Sequence, residues 1–301
     1  MSNLPSLKTL QVFEAAARTN SFLEASEQLF ITPSAVSHQI KILENHLGIK
    51  LFHRTHRSVQ LTDAGRQYAK EISNAFDLIQ AATRDIERVN KSDILTIQST
   101  PSFATQWLMP RLARFSTLYE DIDVRLNASM AMVNVSRGEA DIVIRYGDVF
   151  PEPGVAVENV GEETFCAMCS PNISHNNQDF ELSKQVLIHS EINIYRWKDW
   201  IRDFYERDID LSRGLRFDRT FMSIHAAVDG LGVALESTLM AEREILNGSL
   251  ILPFGKQGKT LNSHKLIYSQ YKADLPKIKI FREWLFDELN DSLGILNKFG
   301  N

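Results

Sequence analysis

Two cysteines in 301 residues are too few to staple a chain of this size, so a disulfide framework is excluded and the core must be built by burial. No stretch approaches the roughly 20 apolar residues needed to cross a bilayer, and the opening MSNLPSLKTLQVFE lacks a basic-then-apolar leader. A cytoplasmic protein without a membrane partner is expected. G-x-S-x-G, H-E-x-x-H and G-x-G-x-x-G are also missing, which leaves enzymatic chemistry little support and implies no cofactor. The run Gly255 to Thr260 superficially suggests a phosphate loop, but Pro253 stands where its first glycine is required. His53-x-x-His56 has no partnering ligand pair nearby, so no metal is expected.

There is no overall excess of positive charge either; the net charge is −5. Its distribution is uneven. Residues 1–66 hold seven Lys/Arg and five Asp/Glu, net +2, which leaves −7 on the other 235 residues. A weakly basic head on an acidic body favours a polyanion at the head.

With 44% hydrophobic residues the chain can bury two or three compact units. Leu7, Leu10, Phe13, Ala16 and Ala17 recur at helical spacing and predict a first helix ended by Thr19-Asn20. Ser21 and Glu24 form a capping-box pattern that opens a second, short helix. Thr32 is a good N-cap and Pro33 suits the first helical position, so a third helix opens there and ends at Gly48. Its expected buried stripe is Val36, Ile40, Leu43 and Leu47, which leaves Ser34, Ser37, His38 and Lys41 outward. Two helices joined by a short turn, the second with small polar side chains at its exposed start, form a helix-turn-helix whose second helix fits the major groove. A generic three-helix bundle has the same periodicity. The run from Lys50 to Leu61 reads as a hairpin with Arg54, His56 and Arg57 at its tip, a wing offering phosphate contacts.

From Thr62, Tyr68, Ile72, Ala75, Ile79, Ala82, Ile86 and Val89 follow at alternating spacings of four and three, the a/d seam of a coiled coil sustained for three heptads. A two-fold rod would present two heads to an imperfect palindrome in double-stranded DNA. Beyond Asp93 the pattern changes to alternating strands and helices, an open α/β arrangement. Strands are expected at Ile94–Ser99, Val124–Ser129, Asp141–Tyr146, Phe165–Ser170, Gln185–His189, Val233–Leu235 and Lys265–Ser269. Helices are expected through Trp107–Phe115, before Gly138, through Trp197–Phe204, near Ser223–Val228, over Ser237–Asn247 and from Pro276. On a strand Cys166 and Cys169 face opposite sides, so they are read as buried structural thiols, with thiol redox sensing as the alternative.

Residues 21–65, SFLEASEQLFITPSAVSHQIKILENHLGIKLFHRTHRSVQLTDAG, resemble the N-terminal signature of LysR-type transcriptional regulators. The phrases PSFATQWLMPRL, GEADIVIRYGD and the Phe221–Leu235 segment are similar to the branch that includes regulators of glycine cleavage, D-serine degradation and β-lactamase induction. The resemblance implies an α+β protein: an all-α winged helix-turn-helix head (1–61), a dimerising coiled-coil linker helix (62–91) and a two-lobed, periplasmic-binding-protein-like effector domain (92–301). Lobe I would comprise 92–162 and 265–301, lobe II 163–264. It also implies a small-molecule effector, assembly as a dimer or tetramer, and RNA polymerase as a partner. In such sheets ligands sit at the carboxyl ends of parallel strands, where helix N-termini favour anions. Thr100, Ser102 and Ser223 at expected helix starts are the candidates for holding a carboxylate, with Ser129, Arg145, Tyr146, His189 and Trp197 completing the cleft. An amino acid or another small carboxylate is the expected effector; DNA binding without an effector is the remaining alternative.

Overall fold

The computed structural model describes residues 4–54, 59–88, 93–173, 180–205 and 207–298, which fall into two compact units divided near residue 87.

The first unit is built by local stop and start signals. Helix α1 (Leu7–Thr19) is capped by Ser6, whose hydroxyl accepts from the Thr9 amide at 3.2 Å, and it stops where Asn20 turns left-handed. The Ser21 hydroxyl accepts from the Glu24 amide to open α2 (Phe22–Gln28), and Thr32 does the same for the Ala35 amide at α3 (Pro33–Leu47). Phe13, Ala16, Ala25, Val36, Ile40, Leu43, Leu51 and Phe52 close a dry core between the three helices and a small hairpin of β1 (Phe52–Arg54) and β2 (Val59–Leu61). Leu7 and Leu47, expected on the buried stripes, are 59% and 37% exposed, because each stands in a terminal turn that overhangs the core. Val12 and Glu44 are buried instead.

Thr62 opens α4 (Asp63–Arg88), its hydroxyl accepting from the Gly65 amide at 2.9 Å and donating to the Lys50 carbonyl at 2.8 Å. A side chain at Gly65 would strike the Leu51 carbonyl at 2.1 Å, so a residue without Cβ is required where the helix leaves the hairpin. The expected a/d seam splits in two. Tyr68 and Ile72 pack onto the head's own core, with the Tyr68 ring 5.4 Å from Phe13, whereas Ala75 and Ile79 face outward, Ile79 at 48% exposure. The side chains of Ala82 and Ile86, and the whole of Val89, lie outside the described residues.

The second unit holds two five-stranded sheets. One has the order β4 (Ile122–Ala128), β3 (Asp93–Ser99), β5 (Ile142–Tyr146), β12 (His264–Ser269), β6 (Val155–Asn159); β3 runs parallel to β4 and β5, and β12 antiparallel to β5 and β6. The other has the order β11 (Gly258–Leu261), β7 (Glu163–Met168), β10 (Val233–Ser237), β8 (Leu187–Ser190), β9 (Leu215–Phe217), with β10, β8 and β9 mutually parallel. The chain crosses between them after β6 and returns between β11 and β12.

A helix begins at Pro101, widens into a π-turn at Phe103–Leu108 and continues as α5 (Met109–Leu118); with α9 (Pro276–Lys298) it packs Trp107, Leu108, Phe115, Phe281 and Leu285 into one core that also takes Met168 and Ile188 from the second sheet and Met240 from the turn after β10. Helices α6 (Trp197–Phe204), α7 (Thr220–Val228) and α8 (Glu242–Leu246) complete the layers. The helix expected before Gly138 is a turn in which the Asn134 side-chain oxygen accepts from the Ser136 and Arg137 amides. The one expected over Ser237–Asn247 is helical only at its end. β6, β9 and β11 were not anticipated.

Candidate DNA-reading surface and effector cleft

The N-cap of α3 places a row of side chains at its start. Thr32, Pro33, Ser34, His38 and Lys41 are exposed, and Ser37 is half-buried and engaged. The Thr32 and Ser34 hydroxyls share a hydrogen bond at 3.0 Å, which stiffens the first turn. Behind this face Gln39 accepts from the Thr9 hydroxyl at 2.8 Å, tying α3 to α1. Arg54 ends β1; its side chain, and all of His56 and Arg57, lie outside the described residues.

Sequence reading did not anticipate what anchors the hairpin to this helix. The buried Glu44 carboxylate accepts from the Leu51 and Phe52 amides at 2.9 and 3.2 Å and pairs with Lys50 at 2.9 Å. Burial pushes its pKa up, but the Lys50 ammonium and the two amides outweigh that and hold it below the usual glutamate range. A charged residue on the inward face of α3 was the signal: a carboxylate there needs partners.

In the second unit the carboxyl ends of β3, β5, β8 and β10 converge on a pocket of about 380 Å³, counting its open mouth. Thr100, Ser102 and Tyr146 line it together with Glu163, Asn193, Arg219, Glu236 and His264. Two helix starts meet here. The Ser102 hydroxyl, at the start of the helix after β3, accepts from the Phe221 amide in the first turn of α7 at 3.4 Å. The Thr100 hydroxyl is buried and unpartnered. Across the cleft the Tyr146 hydroxyl donates to the Asn193 side chain at 3.4 Å and accepts from the Ile194 amide at 3.1 Å. Burial raises the Tyr146 pKa, so the phenol stays protonated.

Of the other candidates, Ser223 sits within α7 rather than at its start, fully buried and without a hydrogen-bond partner. Ser129 and Arg145 border an adjoining recess that shares Thr100 and Tyr146; their side chains engage the amide and carbonyl of Ala131 at 3.1 and 3.0 Å. His189 and Trp197 line a separate depression on the second sheet, where the Trp197 indole donates to the Ile188 carbonyl at 2.8 Å and the His189 ring contacts the Arg213 carbonyl at 3.0 Å.

The buried carboxyls of the cleft were not anticipated. Glu163 receives the hydroxyls of Ser237, at 2.7 Å, and Ser263, and its Oε1 lies 2.6 Å from His264 Nδ1. Burial raises its pKa, but the His264 ring and the two hydroxyls together bring it below the usual range. Glu236 is equally buried; its Oε2 accepts from the Asn193 amide at 2.9 Å, the hydroxyls of Ser190, Thr220 and Ser223 stand near the carboxyl, and the Leu235 carbonyl takes a second bond from the same Asn193 nitrogen at 3.1 Å. Burial lifts Glu236 to about 8. The thiols of Cys166 and Cys169 are buried and raised to about 12 by desolvation, so neither carries thiolate character at neutral pH.

Residues 7–66 match the family model described as bacterial regulatory helix-turn-helix protein, lysR family, and residues 90–290 match the LysR substrate binding domain. The chain is 37% identical over 287 residues to the HTH-type transcriptional regulator PerR of Escherichia coli (strain K12), covering 94% of this chain and 96% of that one. It is 37% identical over 286 residues to the glycine cleavage system transcriptional activator of the same organism, covering 94% and 93%. The structure of CrgA, a LysR-type transcriptional regulator from Neisseria meningitidis, superposes with a TM-score of 0.55 over 95% of this chain and 99% of that one; at 24% identity it speaks for the fold.

Proposed function

The chain belongs to the LysR family, DNA-binding transcriptional regulators that carry an effector-binding domain, and from that premise we propose that its effector is an amino acid or another small carboxylate held between the two sheets of the second unit. The family is one of regulators rather than enzymes. The observation that carries the ligand reading is the meeting of two helix N-termini beside the unpartnered Thr100 hydroxyl, a setting that favours an anion.

In this reading residues 1–61 read DNA, 62–91 dimerise and 92–301 sense, with lobes 92–162 plus 265–301 and 163–264. Ser34, Ser37, His38 and Lys41 meet base edges, with Thr32 and Pro33 setting the start of the helix, while Arg54, His56 and Arg57 contact phosphates. Ala75 and Ile79, turned to solvent in the single chain, begin the seam for a partner rod, and two heads then face an imperfect palindrome in the cytoplasm. Dimers pair into a tetramer, and effector binding favours one assembly geometry over another, which changes DNA bending and the access of RNA polymerase; coupling of about 1–3 kcal/mol is the usual scale.

Capture of genomic DNA by the purified protein, followed by thermal-shift screening with metabolites suggested by the neighbouring genes, tests this. Enrichment of an imperfect palindrome and stabilisation by a small carboxylate are expected. Diffuse, salt-sensitive DNA binding alone would sink the sequence-specific reading, and stabilisation confined to compounds without a carboxylate would sink the ligand class.

A further inference from the structure

Resting on the reading that a small carboxylate occupies the cleft, we propose that the effector also carries a protonated amine and that the carboxyl of Glu236 receives it. Two buried carboxyls of the cleft differ in how far they are satisfied. Glu163 is fully satisfied by Ser237, Ser263 and His264. Glu236, 0% exposed at the carboxyl end of β10 and on the pocket wall, has one oxygen on Asn193 and leaves Oε1 with no partner. The hydroxyls of Ser190, Ser223 and Thr220 stand near it, yet Oε1 closes a hydrogen bond of ordinary geometry with none of them, and the Ser190 and Ser223 hydroxyls are themselves unpartnered. Among the described residues no lysine, arginine or histidine makes an ion pair with Glu236. A buried acceptor left open is costly; Glu244 also leaves one open, but Glu236 does so on the pocket wall, where a donor from outside the chain has a place.

An ammonium fits better than a neutral donor. Deprived of water and of a cation, the Glu236 carboxyl is a neutral acid near pH 7. When R–NH3+ arrives, the carboxyl proton leaves to solvent and the carboxylate pairs with the ammonium, so Glu236 carries no uncompensated charge before or after, while the ligand's own carboxylate is met by the helix starts beside Thr100. The groups facing Glu236 do not compete for this role. Tyr146 of β5 is held protonated by burial, Glu163 of β7 is committed to His264 of β12, and Arg196 and Arg219 are fixed positive charges whose guanidiniums engage the Glu191 and Asn193 carbonyls and Asp218 respectively. With the carboxylate at Thr100 and the helix starts, and the amine at Glu236, the ligand class is a zwitterionic amino acid.

The test is titration calorimetry on the full chain with the proteinogenic amino acids in both hands, the acids in which the amine is replaced by hydroxyl or hydrogen, and the corresponding amines without a carboxylate. Runs in two buffers of different ionisation enthalpy count protons. Binding confined to amino acids is expected, with close to one proton released per molecule at pH 7 and affinity rising about tenfold per pH unit below the Glu236 range. Glu236→Gln, a near-isosteric neutral replacement, should weaken binding at least tenfold and abolish the proton release. The proton count on the unaltered protein stands even if that variant folds poorly. A deaminated acid that binds as tightly as its amino acid, or amino-acid binding without proton release, overturns the assignment and leaves the carboxylate reading standing. Simple amines that bind as tightly as amino acids overturn the carboxylate reading and leave Glu236 standing, and binding by no series overturns both.

Discussion

In the head, most side chains offered for recognition are exposed along the first turns of α3, whereas those of the cleft are mostly buried and drawn from segments more than 100 residues apart. Thr32, Ser34 and Ser37 have partners within the chain, whereas His38 and Lys41 are exposed, so loss of either of these two should change binding and leave folding largely alone. The cleft has polar groups that the fold must satisfy for itself, and Glu163 shows this being done in full. Satisfaction is incomplete at Thr100, Ser190, Ser223 and Glu236, which line or adjoin the pocket, and also at Glu244, Arg282 and Trp284, which line neither depression. On the proposed function, recognition is displayed on the surface in one unit and depends on unmet hydrogen bonding in the other.

Substitutions at Glu163, Glu44, His38 and Arg54 test that contrast. Glu163→Ala removes one half of a buried pair and should cost the second unit about 3–5 kcal/mol in urea unfolding; a loss under about 1 kcal/mol would mean that water readily replaces the carboxylate. Glu44→Ala tests whether the head has one such internal site of its own. It orphans two amides at about 1–3 kcal/mol each, and the hairpin should loosen, visible as faster hydrogen exchange at Leu51 and Phe52. Because the folded Glu44 pKa lies below its unfolded value, its contribution is complete above about pH 4.3 and is lost as the pH falls through the lower folded value. Glu44→Gln should flatten that acid limb, and an unaltered limb would assign it to other carboxylates.

On the exposed side, His38→Ala should leave the melting temperature unchanged and cost on the order of 1–3 kcal/mol at particular base pairs of the operator, read by competition with single-base variants. A uniform loss across all sequences would recast His38 as a phosphate contact. The smallest effect belongs to Arg54→Ala. It should weaken binding equally across sequences and reduce the salt slope by about one, and a change in sequence preference would show instead that the wing reaches bases.

Much of the head was legible along the chain. Ser21, Thr32 with Pro33, Asn20, Gly48 and Thr62 are start and stop signals that act over three or four residues, and the elements begin and end at them. Periodicity placed Val36, Ile40 and Leu43 inward. It overreached at Leu7 and Leu47, because periodicity alone does not reveal where the neighbouring core ends. In the second unit the apolar strands were visible, but β6, β9 and β11 are short and mostly half-exposed, and the turn at Asn134 carries helix-like composition without the length to nucleate one. Within the candidate cleft, Thr100, Ser102 and Tyr146 were reached by reasoning from strand ends, while His189 and Trp197 stand at a different depression because strand ends alone do not say which pocket they border.

By itself the sequence determined the helical head with its hairpin, the α/β character of the body and the positions of the caps, all of which rest on interactions between neighbours in the chain. The pairing of Glu163 with His264, the isolation of Glu236 and the turning of Ser102 toward α7 were decided only by the tertiary structure. Whether a carboxyl is satisfied depends on which strand ends arrive beside it, and that is settled by burying two sheets against one shared core rather than by anything within reach along the chain.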